Sequence, residues 1–433
     1  MKPQRTRYYH INGIDPTEVD YEEMVDLAKM DTEEQDNIRC RLGYKKIVDA
    51  CRQAKRDGYK WVWIDTCCID KRSSAELSEA INSMYRWYAN AKVCYAYLHD
   101  VDGSSFPNKS DYEKYHESNG WPEWFSRGWT LQEMIAPRNL QFFNRDWQPI
   151  GDKKSLAGSL KMITGVPKHI LADGLEGNRP CVAEIISWAT YRMTTRVEDR
   201  AYSLMGLLDV NMPMLYGEGK KAFHRLQLEV IRSSNDQSIF AWGCYSNDPS
   251  DFGDWFHMEL RLMDRGQFIK EFSPTDVDNF DVFSITNRGI QIWMPLRRYR
   301  DSNFVFRAYL PCRDAEGDLV SIDLVLWNSN ENSSAVSRRP RTLFTVTRII
   351  TVNRQFFLFV PYQAISRHSV ICLFYPVPWT PTFNPLRKTH TQLSPFSCQI
   401  LFTMKLPWNF GDNRYLLLNN VGQLCRRSFH RLA

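Results

Sequence analysis

The first hundred residues alternate between amphipathic stretches and short apolar runs. Residues 45–57 carry apolar side chains at helical spacing, and Gly58 follows as a helix stop. Trp61 to Ile64 are four bulky apolar residues in a row, which is typical of a strand buried on both faces. From Ser73, the S-x-x-E spacing to Glu76 predicts the capped start of a second amphipathic helix.

A second apolar run, Val93 to Leu98, follows that helix and predicts another buried strand. Helix, strand, helix, strand is the order of a βαβ unit, whose two strands lie parallel in one sheet. The pattern therefore predicts an α/β fold with a parallel sheet flanked by helices.

In the rest of the chain, the pattern of apolar and polar residues changes twice. The stretch Trp124 to Pro137 predicts an amphipathic helix that Pro137 ends, and Asn139 to Trp147 predict a strand. Helical stretches follow at 181–195, 199–208 and 218–234, whereas the region after about 252 consists of short strand-like runs separated by turn residues. We therefore divide the chain into an α/β core (1–150), a helical continuation (151–250), a β-rich part (251–335) and a weakly patterned basic segment (336–433).

Two features of composition narrow the function. The chain has 433 residues and a net charge of +5, and beyond Asn332 its only acid is Asp412. The arginines of this basic segment are dispersed and form no nucleic-acid motif, so we do not expect nucleic-acid binding. The most apolar stretch, residues 355–376, contains Arg367 and His368 and is too polar for a membrane span.

Eleven cysteines are scattered without a C-x-x-C pair or a Cys/His cluster at zinc spacing. An odd number without a framework indicates reduced thiols, a cytoplasmic location and no metal site. The adjacent Cys67 and Cys68 are interpreted as buried thiols packing as small apolar groups, with redox activity as the alternative.

Asp65 stands directly after the first buried strand. In open parallel sheets, ligands bind beyond the carboxyl ends of the strands. A carboxylate at this position is costly to desolvate unless it meets a partner or a ligand. The alternative is that Asp65 only caps the following loop or helix. The glycine-containing segment Gly217 to Lys220 is not a phosphate loop, because Met214 and Lys221 replace residues that such a loop requires.

Three ordered blocks of the sequence resemble the heterokaryon-incompatibility (HET) domain of filamentous fungi. They are GYKWVWIDTCCIDKRSSAELSEAINSMYRWYANAKVCYAYL, WFSRGWTLQEMIAP and RVEDRAYSLMGLLDVNMPMLYGEGKKAFHRLQLEVI. The later run SITNRGIQIWMPL resembles the β-rich extension that often follows that domain. The resemblance implies a role in non-self recognition between fused fungal cells and in programmed cell death.

The resemblance also implies a fold related to the Toll/interleukin-1 receptor (TIR) domain, a parallel α/β sheet flanked by helices. Some TIR domains cleave NAD, so NAD is the substrate that this analogy suggests, while no cofactor is expected. The matching positions are Trp63, Ile64, Asp65, Cys68, Ile69 and Glu76 in the first block and Arg127, Gly128, Trp129, Thr130, Gln132 and Glu133 in the second. By this resemblance we expect Trp63, Arg127, Trp129 and Glu133 to bind the ligand.

The chain departs from the family pattern at two places. Many members of the family carry Asn-Gln after the Cys-Ile pair, whereas this chain has Asp70 and Lys71. The family's usual N-terminal strand and Ser-His-x-Trp stretch are replaced by a divergent segment that contains His10 but no Trp. If that segment contributes to a ligand pocket, this copy is inactive.

Glycosidic cleavage of NAD would need a carboxylate beside an oxocarbenium-like transition state. We assign that role to Glu76 with Asp65, pyrophosphate binding to Arg127 and base stacking to Trp129. The structural alternatives are a helix cap for Glu76, an ion pair between Arg127 and Glu133, and core packing for tryptophans such as Trp63.

Two classes of function remain open at this point. Either the domain is an enzyme that consumes a nucleotide, or it is a death-signalling module that acts by oligomerisation without catalysis. In both cases the expected partners are further copies of the chain or another incompatibility protein.

Overall fold

The computed structural model describes residues 18–176 and 179–241 together with shorter segments. These segments are 261–263, 284–286, 289–293, 296–298, 305–314, 317–326, 343–352, 369–372, 400–403, 415–418 and 424–427. The N-terminal stretch with His10, the proline-rich stretch 376–395, Asp412, and residues 367 and 368 lie outside the described residues.

The α-helices of the described part are short, except for the three that begin at Leu42, Ser74 and Lys221. They are α1 (Tyr21–Asp26), α2 (Thr32–Arg39), α3 (Leu42–Arg56), α4 (Asp65–Cys68), α5 (Ser74–Asn90), α6 (Thr130–Ile135), α7 (Ala157–Thr164), α8 (Lys168–Asp173), α9 (Val182–Ser187), α10 (Asp199–Tyr202), α11 (Met205–Leu208) and α12 (Lys221–Ser233). Short 3₁₀ turns lie at Leu27–Lys29, His116–Ser118, Glu123–Ser126 and Gln237–Phe240.

The strands come in two groups. The first four are β1 (Trp61–Ile64), β2 (Val93–Tyr97), β3 (Leu140–Phe143) and β4 (Pro149–Asp152). The later ones are β5 (Arg261–Leu262), β6 (Ser284–Thr286), β7 (Gly289–Trp293), β8 (Leu296–Arg298), β9 (Val305–Arg313), β10 (Leu319–Leu326), β11 (Leu343–Val352), β12 (Ser369–Cys372), β13 (Ile400–Thr403), β14 (Tyr415–Leu418) and β15 (Leu424–Arg427).

The described residues fall into two compact units. The first takes residues from the segments up to 178, from 192 to 222 and from 390 onward; the second takes 179–191 and residues between 223 and 389. The two predicted strands and the helix between them are confirmed in the first unit, where they form β1, α5 and β2. The predicted helix at 199–208 is divided into α10 and α11, and the one at 181–195 is shortened to α9.

The sheet of the first unit has seven strands in the order β15-β14-β1-β13-β2-β3-β4. Strands β1 and β2 both run antiparallel to β13, which lies between them, and are therefore parallel to each other without being neighbours. Strand β2 pairs in parallel with β3. This arrangement places the carboxyl ends of β1, β2 and β3 at the same edge of the sheet.

The expectation of a wholly parallel sheet is wrong, because the sheet is mixed. Strand β4 returns antiparallel to β3 after a tight turn, since five residues cannot form the crossover that a parallel pair needs. In this turn, Oδ1 of Asn144 accepts the backbone N–H groups of Asp146 at 3.0 Å and Gln148 at 2.9 Å. The C-terminal strands β13 and β14 pair antiparallel with β1, although their sequence carries little pattern.

Aromatic side chains fill the core of the first unit. Trp63 packs edge-on against Trp87 at 5.2 Å and Tyr88 at 6.2 Å between ring centroids. Elsewhere in the unit, Trp124 packs edge-on against Phe142 of β3 at 5.6 Å. Such pairs contribute about 1 kcal/mol each beyond the burial of their area, so the two pairs that Trp63 forms with Trp87 and Tyr88 fix the tilt of α5 on the sheet.

The second unit is built on an eight-stranded sheet, which agrees with the β-rich texture of this region. Its strand order is β5-β9-β10-β11-β12-β7-β6, and β8 pairs with β9. Leu310, Cys312 and Ile322 are fully buried on this sheet. The Asp236 carboxylate accepts the backbone N–H groups of Val182 at 2.7 Å and Ser238 at 2.8 Å, which ties α9 to the adjoining 3₁₀ turn.

Candidate functional site

Polar side chains gather where β1 and β2 end. Asp65 directly follows β1, and His99 stands two residues after β2. The backbone carbonyl of His99 accepts a hydrogen bond from Nε of Arg145 at 3.0 Å, which holds the end of β2 in place. Because β1 and β2 run in the same direction, Asp65 and His99 lie at the same sheet edge.

The Asp65 carboxylate is only partly satisfied by the fold. Its Oδ1 atom is buried and has no hydrogen-bond partner among the described residues. Burial raises the pKa of Asp65, and the positive charges of Lys71, Lys46 and Arg127 oppose that rise. Three cations therefore lie within electrostatic reach of one unsatisfied carboxyl group.

Two of those cations also act on His99. Burial lowers the pKa of the His99 imidazole, Asp100 opposes this, and Lys46 and Arg127 lower it further. Nε2 of His99 lies 3.6 Å from Oε2 of Glu123. Asp65, His99, Lys46 and Arg127 thus form one polar cluster, which we call the edge cluster.

Lys46 of the edge cluster forms an ion pair with Glu18. Its ammonium lies 3.3 Å from Oε1 of Glu18, and both side chains are nearly buried. A buried cation so paired is largely neutralised within the fold and costs less to bury than an isolated one.

Glu133 lies buried in α6 beside the edge cluster. Burial, and after it the charge of Asp65, raise its pKa to about 8, although Arg127 and a hydrogen bond from the Tyr88 hydroxyl oppose the rise. The Tyr88 oxygen is 3.4 Å from Oε1, and Oε2 has no hydrogen-bond partner among the described residues. At neutral pH Glu133 is therefore mostly protonated.

The residues of the R-G-W-T block, 127–130, mainly contact other residues of the fold. Nη1 of the buried Arg192 donates to the Arg127 carbonyl at 2.9 Å and to Oγ1 of Thr130 at 2.8 Å. The backbone of Arg127 forms a bridge with Met193. The side chain of Trp129 donates a hydrogen bond to the Asp199 carboxylate, away from the edge cluster.

Glu76 fixes a loop in this structure. Its backbone N–H donates to Oγ of Ser73 at 3.2 Å, which confirms Ser73 as the helix cap. Its carboxylate accepts the backbone N–H of Asp70 at 2.9 Å, so it reaches back along the loop between β1 and α5. Trp63 is buried in the aromatic core described above, 3% exposed.

The two adjacent cysteines lie beneath the edge cluster. Cys67 and Cys68 are buried free thiols, which confirms the interpretation drawn from the sequence. Sγ of Cys68 accepts the backbone N–H of Ile64 at 3.4 Å. Burial, assisted by Cys68, raises the pKa of the nearby Cys51 to about 12, and a hydrogen bond with Cys68 together with burial raises the pKa of Cys67, so the Cys51 and Cys67 thiols are protonated and poorly nucleophilic. The side chains of Cys244, Cys372, Cys398 and Cys425 lie outside the described residues.

The structure thus brings together Asp65, Arg127 and Glu133 from the predicted set. Lys46 and His99 were not among the site residues predicted from the sequence. The sequence around Lys46 does not indicate a site residue, because a lysine beside apolar helix positions is typical of a solvated side chain. His99 followed a buried strand just as Asp65 did, and that position was the available signal.

The segment from Glu198 to Gly219 contains a second polar arrangement. Oε1 of Glu198 accepts the backbone N–H groups of Gly217 at 2.8 Å and Gly219 at 2.9 Å. Both glycines have positive φ, +100° and +60°, which favours glycine at these turn positions. The glycine-containing segment is therefore held by a carboxylate, in agreement with its rejection as a phosphate loop.

Two negative findings concern only the described residues. No group of three His, Cys, Asp or Glu side chains among them is arranged to hold a metal ion. In that same part of the chain, no helix combines the length and apolar character needed to cross a bilayer.

Comparisons with known proteins find two family matches in the chain and one similar protein. Residues 20–120 match the family model "Heterokaryon incompatibility protein (HET)", and residues 221–279 match "Domain of unknown function (DUF8212)". The chain is 43% identical over 226 residues to the "Vegetative incompatibility protein HET-E-1" of Podospora anserina. That match covers 51% of this chain and 16% of the relative, and no solved structure matches the chain.

The HET family match contains α1, β1, α5 and β2, and hence Asp65, His99 and Lys46. Arg127 and Glu133 follow it within the same compact unit. The match over these elements and the identity to part of an incompatibility protein agree with the three sequence blocks, and residues 20–120 accordingly carry a region similar to the heterokaryon incompatibility (HET) family.

Proposed function

We propose that this chain acts in vegetative incompatibility, in non-self recognition that ends in programmed cell death, and that its HET domain hydrolyses NAD at the edge cluster. The family match at residues 20–120 and the 43% identity to a vegetative incompatibility protein support the biological role. Cytoplasmic action, a TIR-like fold and partnership with further copies or another incompatibility protein belong to the same proposal.

The observation that carries the proposed chemistry is the unsatisfied Oδ1 atom of Asp65. A buried carboxylate oxygen without a hydrogen bond costs about 1–3 kcal/mol of folding free energy, and such a cost is typical of sites that bind a ligand. Asp65 also stands at the sheet edge where ligands of α/β folds bind.

Hydrolysis would use this carboxylate in a simple way. Water adds to C1′ of the nicotinamide-bearing ribose as the bond from C1′ to the nicotinamide nitrogen breaks. The products are nicotinamide, ADP-ribose and one proton. The oxocarbenium-like transition state is positively charged at the ribose, and an ionised Asp65 stabilises it electrostatically.

The geometry favours Asp65 over Glu76 as the reacting carboxylate. The Glu76 carboxylate already accepts the Asp70 N–H at 2.9 Å, whereas Oδ1 of Asp65 has no such partner in the described part. Glu76 then acts as a positioning residue that shapes the loop. The positive charges of Lys71, Lys46 and Arg127 favour the ionised form of Asp65 and oppose the rise in its pKa that burial causes.

A non-enzymatic signalling module is the second candidate, and a specific observation favours it. The polar R-G-W-T block is engaged within the fold, through Arg192 to Thr130 and through Trp129 to Asp199. Those side chains then serve as structural corners, and death signalling would proceed by oligomerisation.

The test is NAD consumption by the purified full chain, with nicotinamide and ADP-ribose separated by chromatography. Asp65→Asn, Glu76→Gln and the exposed matched control Glu79→Gln are compared, and circular dichroism checks their fold. We expect Asp65→Asn to abolish nicotinamide release, Glu76→Gln to weaken it and Glu79→Gln to leave it unchanged. Absence of turnover by assembled wild-type protein would refute the enzyme and favour the signalling module.

A further inference from the structure

Two segments of the first unit, 196–202 and 215–221, are held together by hydrogen bonds, and we call them the junction. The Tyr202 hydroxyl donates to Oε1 of Glu218 at 2.9 Å and accepts the backbone N–H of Leu215, also at 2.9 Å. A second carboxylate accepts the two glycine N–H groups described above. Because several contacts join the two segments, the junction presents a preorganised surface, which lowers the entropic cost of binding.

Two apolar side chains of the junction are exposed to solvent. Val197 is 51% exposed and Leu215 is 50% exposed. Arg196, the residue before Val197, lies with its guanidinium carbon 4.4 Å from the centre of the Tyr216 ring. Leu215 directly precedes that tyrosine, so both exposed apolar residues border the same contact between the two segments. Single exposed apolar residues are common, but a pair on a preorganised surface is typical of the centre of an interface.

The charged side chains that are exposed at the junction are all basic. They are Arg196, Lys220 and Lys221, whereas the three acids of the junction are buried or half-buried and accept the hydrogen bonds that hold it together. The surface therefore combines an apolar centre with a cationic rim. Its electrostatic complement is an acidic surface.

The chain itself carries a strongly acidic element. Residues 18–36 contain nine acidic residues and one basic residue. Several of these acids are used within the fold by helix caps and ion pairs. Glu33 and Glu34 of α2 are exposed, and within the described part of the chain their carboxylates form no ion pair or hydrogen bond. A second copy of the chain therefore offers the charge that the junction lacks.

We propose that copies of this chain associate head to tail, with the junction of one copy receiving the face of α2 that carries Glu33 and Glu34 in the next. This inference rests on the proposed partnership with further copies and names its surface. The two exposed apolar side chains are covered at the centre of the contact, and the basic rim opposes the carboxylates. Since the contact uses two different surfaces, each copy keeps one of them for a further copy, and assembly continues beyond a dimer.

Charge reversal on either surface tests the contact. Sedimentation velocity of the purified full chain over a range of concentrations measures the dissociation constant of self-association. The double changes Arg196→Glu with Lys221→Glu, and Glu33→Lys with Glu34→Lys, each bring like charges together at the contact. We expect either double variant to raise the dissociation constant about tenfold or more, and high salt to weaken the association of the wild type.

The control changes two lysines elsewhere in the first unit. Lys60 and Lys92 are exposed and directly precede β1 and β2. Lys60→Glu with Lys92→Glu changes the net charge as much as the junction variant does, and it should associate like the wild type. Circular dichroism checks that all variants are folded.

An equimolar mixture of the two charge-reversed variants is the decisive sample. In the mixture, the unaltered α2 of one variant meets the unaltered junction of the other, so the two proteins should associate about as tightly as the wild type does with itself. This rescue requires both variants to be folded and thus separates a lost contact from a lost fold. Folded variants that stay monomeric when mixed would overturn the inference.

Failure of this inference and failure of the proposed function give different results. Wild-type association that neither charge reversal weakens would overturn this surface and leave the partnership with further copies standing. A wild type that stays monomeric at every concentration would refute that partnership as well. If such a monomer binds phosphatidylserine vesicles and Arg196→Glu with Lys221→Glu abolishes the binding, the junction is a lipid-binding surface. NAD hydrolysis is decided by its own assay in every case.

Discussion

The Tyr88 hydroxyl donates a hydrogen bond of 3.4 Å to Oε1 of Glu133, linking α5 to α6 inside the first unit. Tyr88 also packs against Trp63 of β1, so strand, helix and carboxyl group meet at this one side chain. Glu133 stands in the sequence block that the family resemblance marked as ligand-binding. Its burial and this contact give it a second role, in which its protonation state controls stability.

Stability of the first unit should fall as pH rises through the Glu133 titration. Burial raises the folded-state pKa from 4.5 to about 8. Between those values the folded chain keeps the proton and the unfolded chain releases it, so the free energy of unfolding decreases with pH. The shift corresponds to an upper bound of roughly 5 kcal/mol at about 1.4 kcal/mol per pKa unit. Denaturant titrations at several pH values between 5 and 9 measure the decrease.

Glu133→Gln should remove most of this pH dependence, because the amide carries no charge at any pH. The exposed Glu79→Gln is the control and should follow the wild type. A wild-type curve that is flat over this range, or one that rises, would contradict the buried and mostly protonated carboxyl group.

Gly206 should not tolerate a side chain. A Cβ atom at Gly206 would overlap Cβ of Tyr85 and lie 2.8 Å from its Cγ, where α11 packs against α5. Gly206→Ala should therefore lower the free energy of unfolding by about 1–3 kcal/mol, as overpacking does. Gly158→Ala is the matched control in α7, where the nearest atoms are 3.7 Å away and belong to the flexible Lys168 side chain. It should be neutral or stabilise by up to about 1 kcal/mol, because alanine favours helix. Urea unfolding of the three proteins decides the comparison.

The elements of this region could be predicted because their signals are local. The apolar run Trp61–Ile64 predicts a strand and the residues from Ser73 to Glu76 predict a helix start, in each case from neighbouring residues. The structure confirms both elements. Gly206 packs against Tyr85, which is far away in the sequence, and the residues around either position do not predict this contact. The insertion of β13 between β1 and β2 is non-local in the same way, which is why the mixed sheet was not predicted.

The site was predicted only where a residue's position decides its surroundings. Asp65 follows a buried strand, and that alone places it at the sheet edge. The contact of Glu76 depends on how the loop folds back to Asp70, and the indole contact of Trp129 depends on Asp199, 70 residues later. Side-chain partners of this kind are set by tertiary packing, which residue type and spacing leave open.

Lys153 should support the end of α6 as a buried donor. Its ammonium donates to the backbone carbonyl of Ile135 at 3.3 Å and to that of Pro137. Lys153→Met removes a charged donor and leaves two buried carbonyls, so we expect a loss of about 1–3 kcal/mol in unfolding free energy. Lys154→Met, its exposed neighbour, is the control and should change stability by less than about 0.5 kcal/mol.

The pH dependence of Lys153 has the opposite sign to that of Glu133. Burial lowers its folded-state pKa from 10.5 to about 8. Between those values the unfolded chain binds the proton and the folded chain does not, so this residue's contribution to stability grows with rising pH. The free energy of unfolding of the wild type minus that of Lys153→Met, measured by denaturant titration, should be larger at pH 10 than at pH 7.5. An equal difference at the two pH values would show that burial does not lower the pKa of Lys153.

Asp65→Asn should stabilise the fold while it removes activity. Burial raises the folded-state pKa of Asp65 above 3.8, so between 3.8 and the raised value the wild type loses stability as pH rises. An amide avoids the cost of a buried charge, and we expect a gain of about 1 kcal/mol at pH 8 and less at pH 4. Asp152→Asn is the control of opposite sign: Ser155 hydrogen-bonds its carboxylate and lowers its pKa, so this change should destabilise at pH 8.

The comparison separates a functional carboxylate from a structural one. Residues kept for binding or catalysis often cost stability, and replacing them stabilises the protein at the expense of function. A stability gain in Asp65→Asn, with nicotinamide release abolished, would place Asp65 in that class. A loss of stability at pH 8 as large as that of Asp152→Asn would mean that the Asp65 carboxylate holds the fold together. In that case the unsatisfied Oδ1 atom would no longer support a ligand at this sheet edge.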